Sequence, residues 1–362
     1  MALAQITNVT DDQSTPTPGA GHDYIKMFNE TVNPANGSVS LRIDVPVPTG
    51  RGLTLPFSFA YDSNGAYHVG PYASGTAWWY SNAGFGQGGW AYALPVLNYS
   101  YQLLTKTQGN NYYQCGYVSV FVFQDPIGGR HALNLAGTPG SNNQCSAFGV
   151  APQPAGGDDQ FAAVATQPDA STVMVTDRVT GTAYVYNVGT GGPAFPVYVE
   201  DRNGNRLTYS INASPMSGTV TDTLGRTLTI STGNPQSVQV PGPLNYQVSW
   251  TSNSLTYPAV GQTADAGNSQ YCAQNPIPGF GYGPGGGSQQ VVSAITMPNG
   301  QQYTFVYDGN YGLLQQIYYP SGGTVTYTWG MSTRADHTML PDSQGNKDAC
   351  GFTYDVPTVN LF

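Results

Sequence analysis

A turn followed by an alternating strand recurs along this chain, and that unit constrains the fold more than any other feature. In Asp201-Arg202-Asn203-Gly204 the aspartate can accept from backbone amides two residues on, and the glycine supplies the positive φ of a tight reversal. Leu207, Tyr209 and Ile211 then fall on one face of a strand, with Arg206, Thr208 and Ser210 on the other. The design returns at Asp222-Thr223-Leu224-Gly225, Asp177-Arg178-Val179-Thr180-Gly181, Pro298-Asn299-Gly300 and Pro320-Ser321-Gly322-Gly323. Gly181 to Gly204 is 23 residues, Gly204 to Gly225 is 21, and Gly300 to Gly323 is 23. Such a period is expected of a repeat architecture, in which one unit cannot bury its apolar face alone and stacks on its neighbours. A generic β-meander is the alternative.

Composition removes the helical reading. Only two Glu and three Lys are present, against 46 Gly and 27 Pro, so good helix formers are scarce. Val, Thr, Tyr, Phe and Trp take their place, which predicts an all-β chain. Charged residues are 9% of the total and the net charge is −9. That balance lacks the basic stripe that nucleic acid requires and does not favour an anionic membrane surface. No window approaches the roughly 18 consecutive apolar residues of a membrane span.

Four cysteines, Cys115, Cys145, Cys272 and Cys350, admit three pairings or four free thiols. None stands in a metal-ligand spacing, so no metal is expected. Ala2-Leu3-Ala4-Gln5 has the small-x-small pattern left by a signal peptidase. Together with the cysteines and the charge-poor composition, it predicts an exported protein, extracellular or at the cell surface.

In chain order, residues 1–21 read as an extended polar tail, with Pro16, Pro18 and Gly19. Residues 22–170 form a first β region. Within it Val39, Leu41, Ile43 and Val45 share one strand face, and residues 70–101 are rich in Gly and aromatics. Residues 171–362 form the repeat region, interrupted by an insertion at 258–289. The closing residues show no cap, and the chain reads as cut from something longer.

The turn-strand units at 201–211, 222–230 and 298–308, the last closed by Tyr307-Asp308, resemble the YD repeats of the Rhs family. That family includes bacterial polymorphic toxins, toxin-complex components and teneurins. The upstream order is similar to the leading region of Rhs proteins: Asn36-Gly37, then Leu41-Arg42-Ile43-Asp44-Val45-Pro46, Tyr61-Asp62-Ser63-Asn64, and Gly86-Gln87-Gly88-Gly89-Trp90. The resemblance spans about residues 33–330. It implies hairpins stacked in one long, curved or spiralling antiparallel sheet, here a partial Rhs-type shell. Two features depart from the family pattern. No self-cleaving aspartate signature closes the chain, since Asp125-Pro126-Ile127-Gly128 lies mid-chain, and no toxin domain follows.

Candidate chemistry is sparse. No G-x-S-x-G elbow is present, and His22-Asp23 and Asp336-His337 are adjacent pairs that a strand would direct apart. Asp158, Asp159 and Glu200 are the acids least suggestive of turns, and a paired-carboxylate hydrolase would draw on them. Residues 342–348 place oxygen side chains at alternate positions but lack a calcium-loop spacing. Trp78, Trp79, Tyr80 and Trp90 are the ligand-binding candidates, because flat aromatic faces stack on sugar rings; anchoring a β core is the competing role. The sequence favours an exported structural scaffold, shell segment or adhesive surface over an enzyme, with self-association through the N-terminal tail as one version. The alternatives are a secreted carbohydrate-active or other hydrolase and a carbohydrate-binding module. No cofactor is expected. Candidate partners are a second copy of the chain, forming an oligomer or fibre, an enclosed or adjacent polypeptide, and a polysaccharide.

Overall fold

The computed structural model describes residues 25–26, 29–33, 37–48, 50–55, 57–66, 68–72, 75–79, 88–108, 111–137, 153–166, 170–189, 192–213, 216–242, 244–256, 262–265, 287–341 and 347–361. Strands β1 (Ile25–Lys26), β2 (Glu30–Asn33), β3 (Ser38–Asp44) and β4 (Ser58–Asp62) are antiparallel neighbours. After one turn of helix, α1 (Ser63–Ala66), β5 (His68–Tyr72) and β6 (Gly75–Trp79) pair with each other. Strand β7 (Trp90–Tyr92) then returns to β4 as the fifth strand of the first sheet. The hairpin of β8 (Val96–Gln108) and β9 (Asn111–Gln124), with β10 (Arg130–Ala132), makes a three-stranded sheet.

An unbroken meander follows. It runs through β11 (Ala155–Gly157), β12 (Phe161–Ala165), β13 (Thr172–Asp177), β14 (Ala183–Asn187) and β15 (Pro196–Glu200). It continues through β16 (Arg206–Ala213), β17 (Met216–Asp222), β18 (Thr227–Ile230), β19 (Gln236–Val240) and β20 (Leu244–Leu255). Strand β21 (Gln262–Asp265) leaves the sheet. The meander resumes with β22 (Gly287–Thr296), β23 (Gln302–Tyr307), β24 (Leu314–Tyr318) and β25 (Thr324–Thr326), for 14 antiparallel strands in one sheet. Strands β26 (Thr328–Pro341) and β27 (Lys347–Leu361) form a long hairpin, which β21 joins. The chain is all-β, with one large antiparallel sheet at its centre.

The long sheet starts at Ala155, upstream of residue 171 where the sequence places the repeat region. Its first two strands are written Ala155-Gly156-Gly157 and Phe161-Ala162-Ala163-Val164-Ala165, with little of the β-branched and aromatic content that marks a strand. The alternation is nevertheless present, since Phe161, Ala163 and Ala165 are buried and Val164 is exposed.

Period-2 alternation decides which face packs. Val39, Leu41, Ile43 and Val45 are all buried, as the pattern predicts. On the long sheet Leu207 and Tyr209 point inward while Arg206, Thr208 and Ser210 face out. The inward rows of the two layers meet in one core, where Val39, Phe59, Trp90 and Tyr92 pack with Val220, Val238, Val248, Ile295 and Phe305. A second core joins the three-stranded sheet to the start of the long one. There Phe123 lies 4.9 Å from Phe161 and 5.0 Å from Tyr184, ring centre to ring centre. Each such aromatic contributes about 1.5–3 kcal/mol by leaving water.

Polar groups tie the layers at fixed points. Trp90 Nε1 donates to the Tyr307 hydroxyl at 2.6 Å, which donates to the Val292 carbonyl at 2.6 Å. Tyr61 accepts the Leu314 amide at 2.9 Å, and Tyr92 donates to Gln236 at 2.7 Å. Glu30, 2% exposed, accepts from the Tyr319 hydroxyl. A buried carboxylate needs such a donor, and finds it in the turn that follows β24.

Candidate functional site

One turn design is repeated along one end of the long sheet. In residues 201–205 the Gly204 amide donates to the Asp201 carbonyl at 3.0 Å, and the Asp201 amide to the Asn205 carbonyl at 3.0 Å. Asp201 Oδ1 accepts the Asn203 and Asn205 amides at 2.8 and 2.9 Å, and Gly204 has φ +80°. This is a three-residue hairpin loop with glycine at the left-handed position. Residues 222–226 copy it: Asp222 Oδ1 accepts the Leu224 and Arg226 amides at 2.9 Å each, and Gly225 has φ +76°. Residues 297–301 and 319–323 close with the same pair of backbone bonds around Gly300 and Gly322, and Asp177 and Gly181 make a longer variant. In the fifth unit the left-handed residue is Gly322, one before the glycine on which the sequence aligns.

Asp125-Pro126-Ile127-Gly128-Gly129, which resembles a self-cleavage signature only superficially, makes this same turn between β9 and β10. Asp125 Oδ1 accepts the Ile127 and Gly129 amides, and Gly128 has φ +99°. Its second oxygen lies 3.4 Å from His131 Nε2, while His131 Nδ1 lies 2.6 Å from Asp158 Oδ2. With a carboxylate on each ring nitrogen, both nitrogens donate only in the imidazolium form. The ring packs edge-on against Phe161 at 4.4 Å, so His131 clasps the turn at 125–129 to the one at 158–161.

Of the acids singled out from sequence, Asp158 and Glu200 have structural duties. Burial works against the charge on Asp158, but the Phe161 amide, the His131 side chain and the Gln160 amide hold its carboxyl below the usual range. Burial also opposes Asp222, and the Arg226 side chain with the Arg226 and Leu224 amides lowers it likewise. Asp201 is lowered by the Asn205 side chain and neighbouring amides. Asp158 is therefore a turn former after all. Asp159 is exposed beside it, and Glu200 accepts Arg206 Nε at 2.8 Å. A carboxyl held low, as at Asp158, Asp201 and Asp222, is not prepared as a general acid.

Trp90 is a correction. Expected among the ligand-stacking aromatics, it is fully buried, 4.6 Å from the Phe305 ring and 5.5 Å from Tyr61. Its indole is large, and β7 directs it into the interface between the sheets, where its N–H finds Tyr307. Trp78 and Trp79 lie on β6 opposite Val69 and His68; their side chains, and all of Tyr80, lie outside the described residues. Cys115 stands on β9 opposite Leu104 and Cys350 on β27 opposite Thr338. Their side chains, and all of Cys145 and Cys272, also lie outside the described set, as do His22, residues 342–346 and the tail at 1–21. Among the described residues no three His, Cys, Asp or Glu side chains are placed to hold a metal. No helix among them is long and apolar enough to cross a membrane.

What the sequence reading missed is the outward face of the long sheet. Ladder registers place Ser210, Thr219, Thr229, Gln239 and Asn245 in one row across five strands. Ser249, Ala294, Thr304, Tyr318 and Thr324 form another. Neither row carries a charge. At the sheet's start the same face is apolar, with Val164, Met174, Val185 and Tyr198 in one row. The signal was available as alternate positions of successive strands, but only known registers bring those positions side by side.

No protein-family model matches the chain, and no curated protein matches it.

Proposed function

We propose that this chain is an exported structural β scaffold of the Rhs or YD-repeat type, acting as a shell segment or adhesive surface. The observation that carries the reading is the 14-strand meander whose hairpins reuse one glycine-cornered turn. Such a sheet extends by adding units, each stacking on the last, so its natural use is to cover area. Two of its outward rows carry hydroxyls and amides and no charge, a surface suited to neutral partners. The two end strands, β11 and β25, are three residues each, which shortens the ladder open to an incoming strand. Asp158 is engaged in a turn and Glu200 in an ion pair, which supports the scaffold over the hydrolase.

Electron microscopy of the purified protein, paired with an assay on glycan and ester substrates, tests the reading. Sheet-walled particles, single or joined, with no turnover are expected. A featureless compact monomer that turns over one of those substrates would overturn it.

A further inference from the structure

At the end of the long sheet opposite the aspartate turns, a strand stops short. β15 pairs with β16 through Tyr198–Thr208, Val199–Leu207 and Glu200–Arg206. β16 runs on to Ala213, paired there with β17 alone. The residues before β15 turn aside, and Ala194 bridges to Leu97 on β8. The notch left beside β16 is an open cleft of about 390 Å³.

Its lining combines two kinds of group. Tyr99, Pro193 and Phe195 supply flat carbon-rich walls. The Tyr99 ring is fixed from both ends, stacked on Phe121 at 5.7 Å and accepting the Gly189 amide at its hydroxyl at 3.0 Å. Asn187, Ser210 and Asn212 are exposed along the rim, and their side chains make no hydrogen bond among the described residues. Tyr209 also lines the cleft; it is 7% exposed and its hydroxyl is buried without a partner. No charged side chain is in the lining.

We propose that this cleft binds a neutral sugar unit of a glycan chain. A pyranose presents C–H faces to aromatic and proline walls and hydroxyls to amides, which matches both halves of the lining. An anionic ligand meets no cation here. A wholly apolar one leaves the amides unpaired. Because the cleft is open at the surface, an internal unit of a polymer can enter as readily as an end. This goes beyond the scaffold reading and does not depend on it, since the cleft is local to β14–β16 and Tyr99.

The test is calorimetric titration of the full chain with cellohexaose, maltohexaose and N-acetylchitohexaose, and with hexagalacturonic acid as the anionic comparison. Saturable binding of at least one neutral hexamer, in preference to the acid, is expected. Asn212→Ala should weaken it about tenfold with an unchanged melting temperature, since that side chain is exposed. Ser210→Trp, which fills the cleft from a surface position, should abolish it. Failure of every neutral hexamer to bind, preference for the acid, or binding retained by both variants would overturn the proposal. Failure of the scaffold reading shows in particle images and turnover, and leaves these titrations untouched.

Discussion

Two glycines separate the cost of a backbone conformation from the cost of a collision. Gly204 has φ +80°, and a Cβ there would meet nothing within 4 Å. Gly204→Ala should therefore cost only the left-handed penalty, about 1 kcal/mol. Gly88 has φ +62°, and its Cβ would stand 2.7 Å from a Val291 methyl and 2.8 Å from the Gln290 carbonyl. Gly88→Ala should cost roughly 2–4 kcal/mol, because the long sheet must shift as well. Urea midpoints of the two variants check the order; equal losses would contradict it. Asp222 gives the pH dependence. Its folded carboxyl lies below the ordinary value of 3.8, so its contribution is full above the unfolded pKa and fades as pH falls through the lower folded one. Asp222→Asn keeps the turn's acceptor oxygen and loses the Arg226 pairing. It should cost about 0.5–1 kcal/mol at pH 7 and less at pH 2, again by urea midpoints. A deficit of the same size at pH 2 would show that charge is not the cause. The turn residues were legible because Asp and Gly act on their own neighbours. The partner of His131 was not, since Asp158 lies 27 residues away and only the packed hairpins bring them together.

At the scale of elements, alternation identified which side of each strand is buried but not what lies across from it. Val39, Leu41 and Ile43 could be assigned a common inward face, as could Leu207 and Tyr209. That these two faces meet, with Trp90 between them, required the order of the sheets. Trp90 shows the limit best: an aromatic among glycines is equally compatible with a sugar platform and a core anchor, and the choice is made by β7 pairing with β4. Trp90→Ala should cost about 3–5 kcal/mol. Trp90→Phe should cost about 1–2 kcal/mol, since it leaves the ring contact with Phe305 and the Tyr307 bond to Val292 in place. Chemical denaturation measures both, and a Trp90→Ala variant as stable as the parent would place the indole outside the interface. The notch beside β16 was invisible in the sequence for a related reason. Tyr99, Phe195 and Asn212 come from three separate segments, and no local pattern reports where a strand stops short of its neighbour.

For the whole molecule, scarcity of charge and helix formers was enough to give the class, and a recurring turn was enough to give one long antiparallel sheet. The long hairpin of β26 and β27 is the exception, since it follows the last repeat without a break in composition and yet pairs with β21 instead of extending the sheet. The first sheet and the long one share a core and at least four buried hydrogen bonds, through Trp90, Tyr61, Tyr92 and Glu30. Neither layer then has a reason to open alone. Hydrogen exchange read across the chain at rising urea tests this most directly. Amides of β3, β4 and β7 should lose protection in step with those from β12 through β24, as one cooperative block. Release of the first sheet at low urea while the long sheet stays protected, or protection broken into isolated hairpins along the meander, would contradict it.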